Sequence, residues 1–147
     1  MPCFLASEQI QVLEETLNYT FKDKALLSRV FEAASSTSTP EGNKRLALLG
    51  RSLLGFLRNL KSVEQDLAVV DMNSHFLRNS AAKRLATLGF TKSLQQFIRV
   101  NPASSLTDHV SDKLMALSME ALLAAVFLDC QRDLTITCEF ATGLRIL

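Results

Sequence analysis

Apolar positions fall at helical spacing along almost the whole chain. Ile10, Leu13 and Leu17 mark a first amphipathic helix that starts at Ser7-Glu8 and ends at Asn18-Tyr19. Leu26, Leu27, Val30 and Phe31 mark a second, opened by Phe21-Lys-Asp-Lys and stopped by the turn-rich run Ser35-Ser-Thr-Ser-Thr-Pro40-Glu-Gly42. Leu46, Leu49, Leu53, Leu57 and Leu60 follow at steps of 3, 4, 4 and 3, which predicts a long third helix with Asn43 as its N-cap. A short helical piece is expected over Asp66–Asp71, a helix over Asn73–Leu88 closed by Gly89 as a C-cap, and a short one over Thr91–Val100. Asn101-Pro102-Ala-Ser-Ser reads as a loop. Ser111 then caps a helix reaching Leu128 that is apolar nearly all round, from Leu114 to Phe127; such a helix belongs at the centre of a fold. A last helix is expected over Leu134–Leu147, although the β-branched run Thr135, Ile136 and Thr137 weakens it. Nothing alternates as a strand does, so the fold class is all-α.

The 147 residues suit a single domain spanning 1–147. With 48% hydrophobic and 21% charged residues, intrinsic disorder is excluded. No run of 18 apolar residues occurs, so no membrane span is expected. The opening MPCFLASEQIQVLEE has neither a basic n-region nor the Arg-rich character of a transit peptide, which favours an intracellular location, cytoplasmic or mitochondrial. Cys3, Cys130 and Cys138 have no metal-like spacing and read as reduced thiols. His75 and His109 stand without the partners that a triad or a metal site needs. No cofactor is expected.

The net charge of +1 argues, as an average, against a strongly basic nucleic-acid binder. Its distribution changes that picture: residues 1–40 carry net −2, residues 41–100 net +6, and residues 101–147 net −3. Within the apolar run from Leu114 to Phe127 Glu120 is the sole acid, and a buried carboxylate must be paired, hydrogen-bonded or neutral.

Three stretches resemble one family. They are Lys44-Arg-Leu-Ala-Leu-Leu-Gly-Arg51 followed by Ser52-Leu-Leu-Gly55, Asn79-Ser-Ala-Ala-Lys-Arg-Leu-Ala-Thr-Leu-Gly-Phe90, and Asp112-Lys-Leu-Met-Ala-Leu-Ser-Met-Glu-Ala-Leu-Leu-Ala-Ala-Val-Phe-Leu-Asp129. Together they look like a ribonuclease III endonuclease domain, whose signature reads E-R-L-E-F-L-G-D and then D-K-x-x-A-D-x-F-E-A-L-x-G-A-x-x-L-D. The segment Leu17–Leu27 resembles that family's first-helix junction. The resemblance implies a helical domain that dimerises around a duplex RNA. It also implies hydrolysis by divalent metal held on four carboxylates.

Carried onto this chain, those four positions are Ala47, Arg51, Leu117 and Glu120, so three of the four acids are replaced and one has become a cation. The resemblance therefore implies a catalytically degenerate member that is not an enzyme. Arg51 and Glu120 are expected to pair in the vacated site, a buried pair whose truncation would cost ~3–5 kcal/mol. Leu48 replaces the family aromatic that packs across the dimer interface, so Leu48 and Leu49 are expected at a homodimer contact; otherwise the leucines face the chain's own core. The family usually appends a double-stranded RNA-binding domain, which is not expected here.

Candidate phosphate contacts are Lys44, Arg45, Arg51, Arg58, Lys83, Arg84 and Lys92, unless these merely solvate helix faces. The expected function is binding of double-stranded or structured RNA by a non-catalytic homodimer. One alternative is a protein–protein module that pairs with an active ribonuclease III or a ribosomal particle. A remote one is an active nuclease with a metal site rebuilt on Glu41, Asp112 and Glu120.

Overall fold

Short polar side chains start several of the helices. The computed structural model describes residues 5–34, 40–79, 82–100 and 110–147, without the side chains of 75–79. Helix α1 (Ser7–Leu17) opens where the Ala6 N–H donates to Gln9 Oε1 and closes at Asn18, whose φ of 52° is left-handed. Asp23 accepts from the Ala25 and Leu26 N–H groups to start α2 (Lys24–Val30). The chain continues as α3 (Lys44–Glu64), α4 (Val69–Asn79), α5 (Ala82–Thr91) and a 3-10 turn (Leu94–Phe97). Ser111 accepts from Leu114 N–H to cap α6 (Asp112–Asp129), and Asp133 accepts from Ile136 N–H to cap α7 (Leu134–Gly143). These contacts satisfy donors that a helix start leaves orphaned.

Helix α6 is the axis of the fold. Met115, Ala116, Met119 and the run Ala121–Val126 are all buried. Helices α3 and α5 make the most extensive contacts with it, and α2 and α7 complete the surround. Two glycines set how closely the helices approach. A Cβ on Gly50 would collide with the Glu120 carbonyl, so α3 and α6 touch backbone to backbone there. A Cβ on Gly89 would collide with the Met115 side chain. Among the described residues no helix is long and apolar enough to cross a membrane.

Several sequence expectations are corrected in detail. The helix expected over Asn73–Leu88 is replaced by α4, which starts earlier at Val69, and by α5. Gly89 is not a cap: it lies inside α5, where its missing side chain makes room for Met115. The helix expected over Thr91–Val100 shrinks to the 3-10 turn. The backbone after it runs extended, with Arg99 N–H donating to Phe31 O at 2.7 Å and Ala33 N–H donating to Arg99 O at 3.0 Å. Helix α7 stops at Gly143, and the tail folds back so that Ile146 N–H reaches Ala141 O. Asn43 precedes α3, yet its side chain does not cap it. Its amide instead donates to Val30 O (2.7 Å) and Ser118 Oγ (3.1 Å), tying α2, α3 and α6 together. Cys130 and Cys138 are half-buried free thiols. Cys3, the side chain of His75, His109 and most of the expected loops 35–42 and 101–105 lie outside the described residues.

The end of α6 organises the first helix junction. Asp129 is buried and accepts from Tyr19 OH at 2.9 Å, Lys22 N–H at 3.0 Å and Asp23 N–H at 2.8 Å. Glu14 holds the same junction from α1, accepting from Phe21 N–H and from Lys24 Nζ. Tyr19 also packs edge-on against Phe21 and Phe140, with centroids 4.8 and 5.8 Å apart. Burial, and then the hydrogen bond to the Asp129 carboxylate, push the Tyr19 phenol well above its ordinary value. A raised folded-state value adds stability below the ordinary phenol range near pH ~10, and that stability is lost as pH rises towards the folded value. Tyr19 is the only tyrosine and there is no tryptophan, so phenolate absorbance reads this site alone. We expect phenolate to form in the folded chain only well above pH ~10 and to return to the ordinary range in urea. An ordinary titration in the folded chain would mean that Tyr19 does not hold Asp129.

Candidate functional site at the crossing of α3 and α6

Ala47 and Arg51 are one turn apart on α3, and Leu117 and Glu120 one turn apart on α6. Because Gly50 rests on the Glu120 backbone, the neighbouring Arg51 is close enough to reach the Glu120 side chain. Arg51 Nε donates to Glu120 Oε2 at 2.7 Å and Nη2 to Oε1 at 3.4 Å. That hydrogen bond, and then the carboxylate charge, push the Arg51 guanidinium above its ordinary value. Ala47 is fully buried and Leu117 packs partly buried against the core.

The expected pair therefore forms, but its burial is one-sided. The Glu120 side chain is 8% exposed and the Arg51 side chain 61%. Solvent screens the attraction on the arginine side, so the ~3–5 kcal/mol expected for a wholly buried pair is too large. We expect Arg51→Ala to cost about 1 kcal/mol in urea unfolding, the penalty of leaving Glu120 with fewer partners. An unchanged midpoint would show that the pair contributes nothing.

A divalent cation of the kind the resemblance implies takes a shell of oxygen ligands. Among the described residues no group of three or more His, Cys, Asp or Glu side chains could hold a metal ion, and Glu41, Asp112 and Glu120 form no such group. The carboxylate that remains is already bound to a guanidinium. These residues do not fit the metal.

The cations are less uniform than the sequence suggests. Lys44, Arg45 and Lys83 are exposed. Arg58 is half-buried and lies in the fields of Arg84 and Glu120. Burial and then Arg84 push its guanidinium below the ordinary value, while Glu120 pulls the other way. Arg84 has a structural task that its sequence position does not reveal: its guanidinium donates to Ile146 O (3.1 Å) and Arg145 O (2.6 Å) and pins the folded-back tail. Lys92 lies elsewhere, in a cleft with Asn18, Tyr19 and Glu139 between α1 and α7. Arg51 and Arg58 thus lie near Glu120, Arg84 lies near Arg58, and Lys92 is not part of that group.

Leu48 and Leu49 are exposed on α3 and do not face the core. They begin an apolar stripe that Phe56 (51% exposed), Leu60 and Val63 (66% exposed) continue along the helix, with Val69 and Val70 exposed at the start of α4.

No family model matches the chain. It is 30% identical over 129 residues to Ribonuclease 3 of Agrobacterium fabrum, a match covering 85% of this chain and 54% of that protein. To Ribonuclease 3 of Caldanaerobacter subterraneus subsp. tengcongensis it is 31% identical over 124 residues, covering 80% and 54%. The chain therefore spans about half the length of these curated relatives. The nuclease domain of Ribonuclease III from Campylobacter jejuni superposes with a TM-score of 0.80 at 22% identity, covering 92% of this chain and 94% of that one. That structure is described as showing structural flexibility in a region involved in dimer formation. The same all-helical architecture and a sequence likeness over most of the chain's length identify it as a ribonuclease III endonuclease-like domain.

Proposed function

We propose that this domain binds double-stranded or structured RNA as a homodimer and does not cleave it. One observation carries the reading: the last acid at the four positions of the family's metal site, Glu120, is held by Arg51. A guanidinium in that place repels a divalent cation and attracts a phosphate. The exposed Lys44, Arg45 and Lys83 add to the same basic block. Binding of a short RNA duplex should fall steeply with salt, by a slope near −0.9 per phosphate contact on the B-DNA scale. It should vary little with sequence, because duplex RNA is read by shape and backbone. No binding at low salt would overturn the RNA reading.

The apolar stripe on α3 supports the homodimer, since a row of exposed large hydrophobics of this length marks an interface. Phe56→Glu is expected to give a monomer in sedimentation velocity with unchanged helical circular dichroism. A dimer that persists would place the interface elsewhere. The same stripe also supports a second reading, a module that pairs with an active ribonuclease III or a ribosomal particle. A chain that is monomeric alone and fails to bind duplex RNA would favour it. An intracellular address, cytoplasmic or mitochondrial, is part of the proposal.

A further inference from the structure

Where the chain passes from α2 to α3, the surface opens into a cleft of about 320 Å³. Arg29 on α2 and Arg45 on α3 line it together with Gly42, Leu46 and Leu49. We propose that this cleft seats a phosphate group, held between the two guanidinium groups.

Three features support the assignment. The first is charge. Among the described residues no carboxylate side chain lines the cleft, and neither arginine has an ion-pair partner. The nearest acids along the chain, Glu32 and Glu41, are not part of the lining, and residues 35–39 carry no charged side chain in the sequence. Two like charges on one space repel unless an anion lies between them. Each guanidinium presents a fork of N–H donors that matches two phosphate oxygens. The second feature is the frame. Asn43 N–H donates to Glu32 O at 2.8 Å and the Asn43 side-chain amide to Val30 O at 2.7 Å, which ties the start of α3 to the end of α2. Gly42 turns between them at a φ of 55°, so close to the backbone of residues 32–34 that a Cβ would collide with it. Arg29 adjoins Val30, and Arg45 lies in the first turn after Asn43, so the backbone under both arginines is set before a ligand arrives. The third feature is size. The cleft is at the small end of the ~300–1,000 Å³ range of ligand sites, room for a phosphate and the sugar that carries it. Leu46 and Leu49 offer that sugar an apolar wall.

Such a phosphate has two sources, the backbone of a bound RNA and a free phosphate. The site goes beyond the RNA reading, because it stands or falls with inorganic phosphate alone. The test uses the full chain and its Arg29→Gln, Arg45→Gln and Lys113→Gln variants. Arg29 and Arg45 are exposed, so both cleft variants should keep the helical circular dichroism of the parent. Lys113 is exposed and outside the lining, and serves as the control. Thermal unfolding is followed against inorganic phosphate and against chloride at matched ionic strength. At ten times its Kd, phosphate should raise the Tm by roughly 4 °C over chloride through the site. Phosphate also stabilises proteins by exclusion from their surface, and that share remains in every variant. Arg29→Gln and Arg45→Gln should each lose the site's share, and Lys113→Gln should keep it. A full rise in both cleft variants, or an equal loss in Lys113→Gln, would overturn the site. An unchanged phosphate response beside a lost dimer would also overturn it, and would assign the two arginines to carboxylates of a second copy. A duplex RNA titration then separates the sources. A several-fold loss of affinity in Arg29→Gln identifies the RNA backbone as occupant. Unchanged RNA affinity beside lost phosphate binding identifies a free phosphate. If the duplex does not bind the parent chain, the RNA reading fails while the phosphate result still decides the cleft.

Discussion

Replacing Asp129 by alanine should destabilise the domain by about 3–5 kcal/mol. The carboxylate ends α6, where the negative pole of the helix disfavours an acid. It is retained and buried because three donors converge on it: Tyr19 OH and the N–H groups of Lys22 and Asp23. Alanine leaves all three without that acceptor at once, and partly buried unsatisfied donors cost about 1–3 kcal/mol each, less than additively within one network. The same loss frees Asp23, whose side chain starts α2. For a chain of this length the melting temperature should fall by roughly 10 °C or more. Asp129→Asn keeps one acceptor oxygen and should lose about half as much. A loss below ~1 kcal/mol in Asp129→Ala would mean that the junction is held by Glu14 and aromatic packing instead.

A second large effect is expected at the crossing. In Gly50→Ala the new methyl meets the carbonyl of Glu120, which is backbone and cannot swing aside. Helix α3 must lift from α6, opening the most extensive helix contact in the fold and stretching the bond from Arg51 to Glu120. We expect a loss of about 3 kcal/mol or more, above the usual range for an overpacked core. Gly89→Ala provides the comparison. Its methyl meets the Met115 side chain, which can adapt, so the loss should be smaller. Gly143→Ala opens onto free space near the end of α7 and should be neutral or slightly stabilising. Urea midpoints of the three variants should rank in that order. A Gly50→Ala protein as stable as Gly143→Ala would contradict the close approach of α3 and α6.

The parts of the fold that the sequence reveals are those where burial sets the pattern. Helix α6 is buried almost all round, and α3 buries Ala47, Gly50, Leu53, Leu54 and Leu57 against its neighbours, so their spacing alone places both helices. Boundaries are obscured where one residue type serves two purposes. Gly89 has the character of a cap, but packing against Met115 uses its lack of a side chain within a continuous helix. Asn43 has the character of a capping residue, but its amide is drawn to Val30 and Ser118.

At the site, pairing of Arg51 with Glu120 is legible because a buried acid needs a partner and the resemblance places an arginine opposite it. The one-sided exposure of that pair is not legible from residue identity. The task of Arg84 is also hidden, since it depends on a tail that turns back after Gly143. The Asp129 contacts join residues more than one hundred positions apart, beyond any local spacing rule.

The most direct measurement incubates the purified chain with a duplex RNA, with and without Mg²⁺ or Mn²⁺, and scores binding and cleavage in the same samples. With Arg51 in place and Glu120 engaged, the RNA should be retained intact and the retention should not depend on the metal. Metal-dependent shortening of the duplex that disappears in Glu120→Ala would show instead that a working metal site survives in this domain.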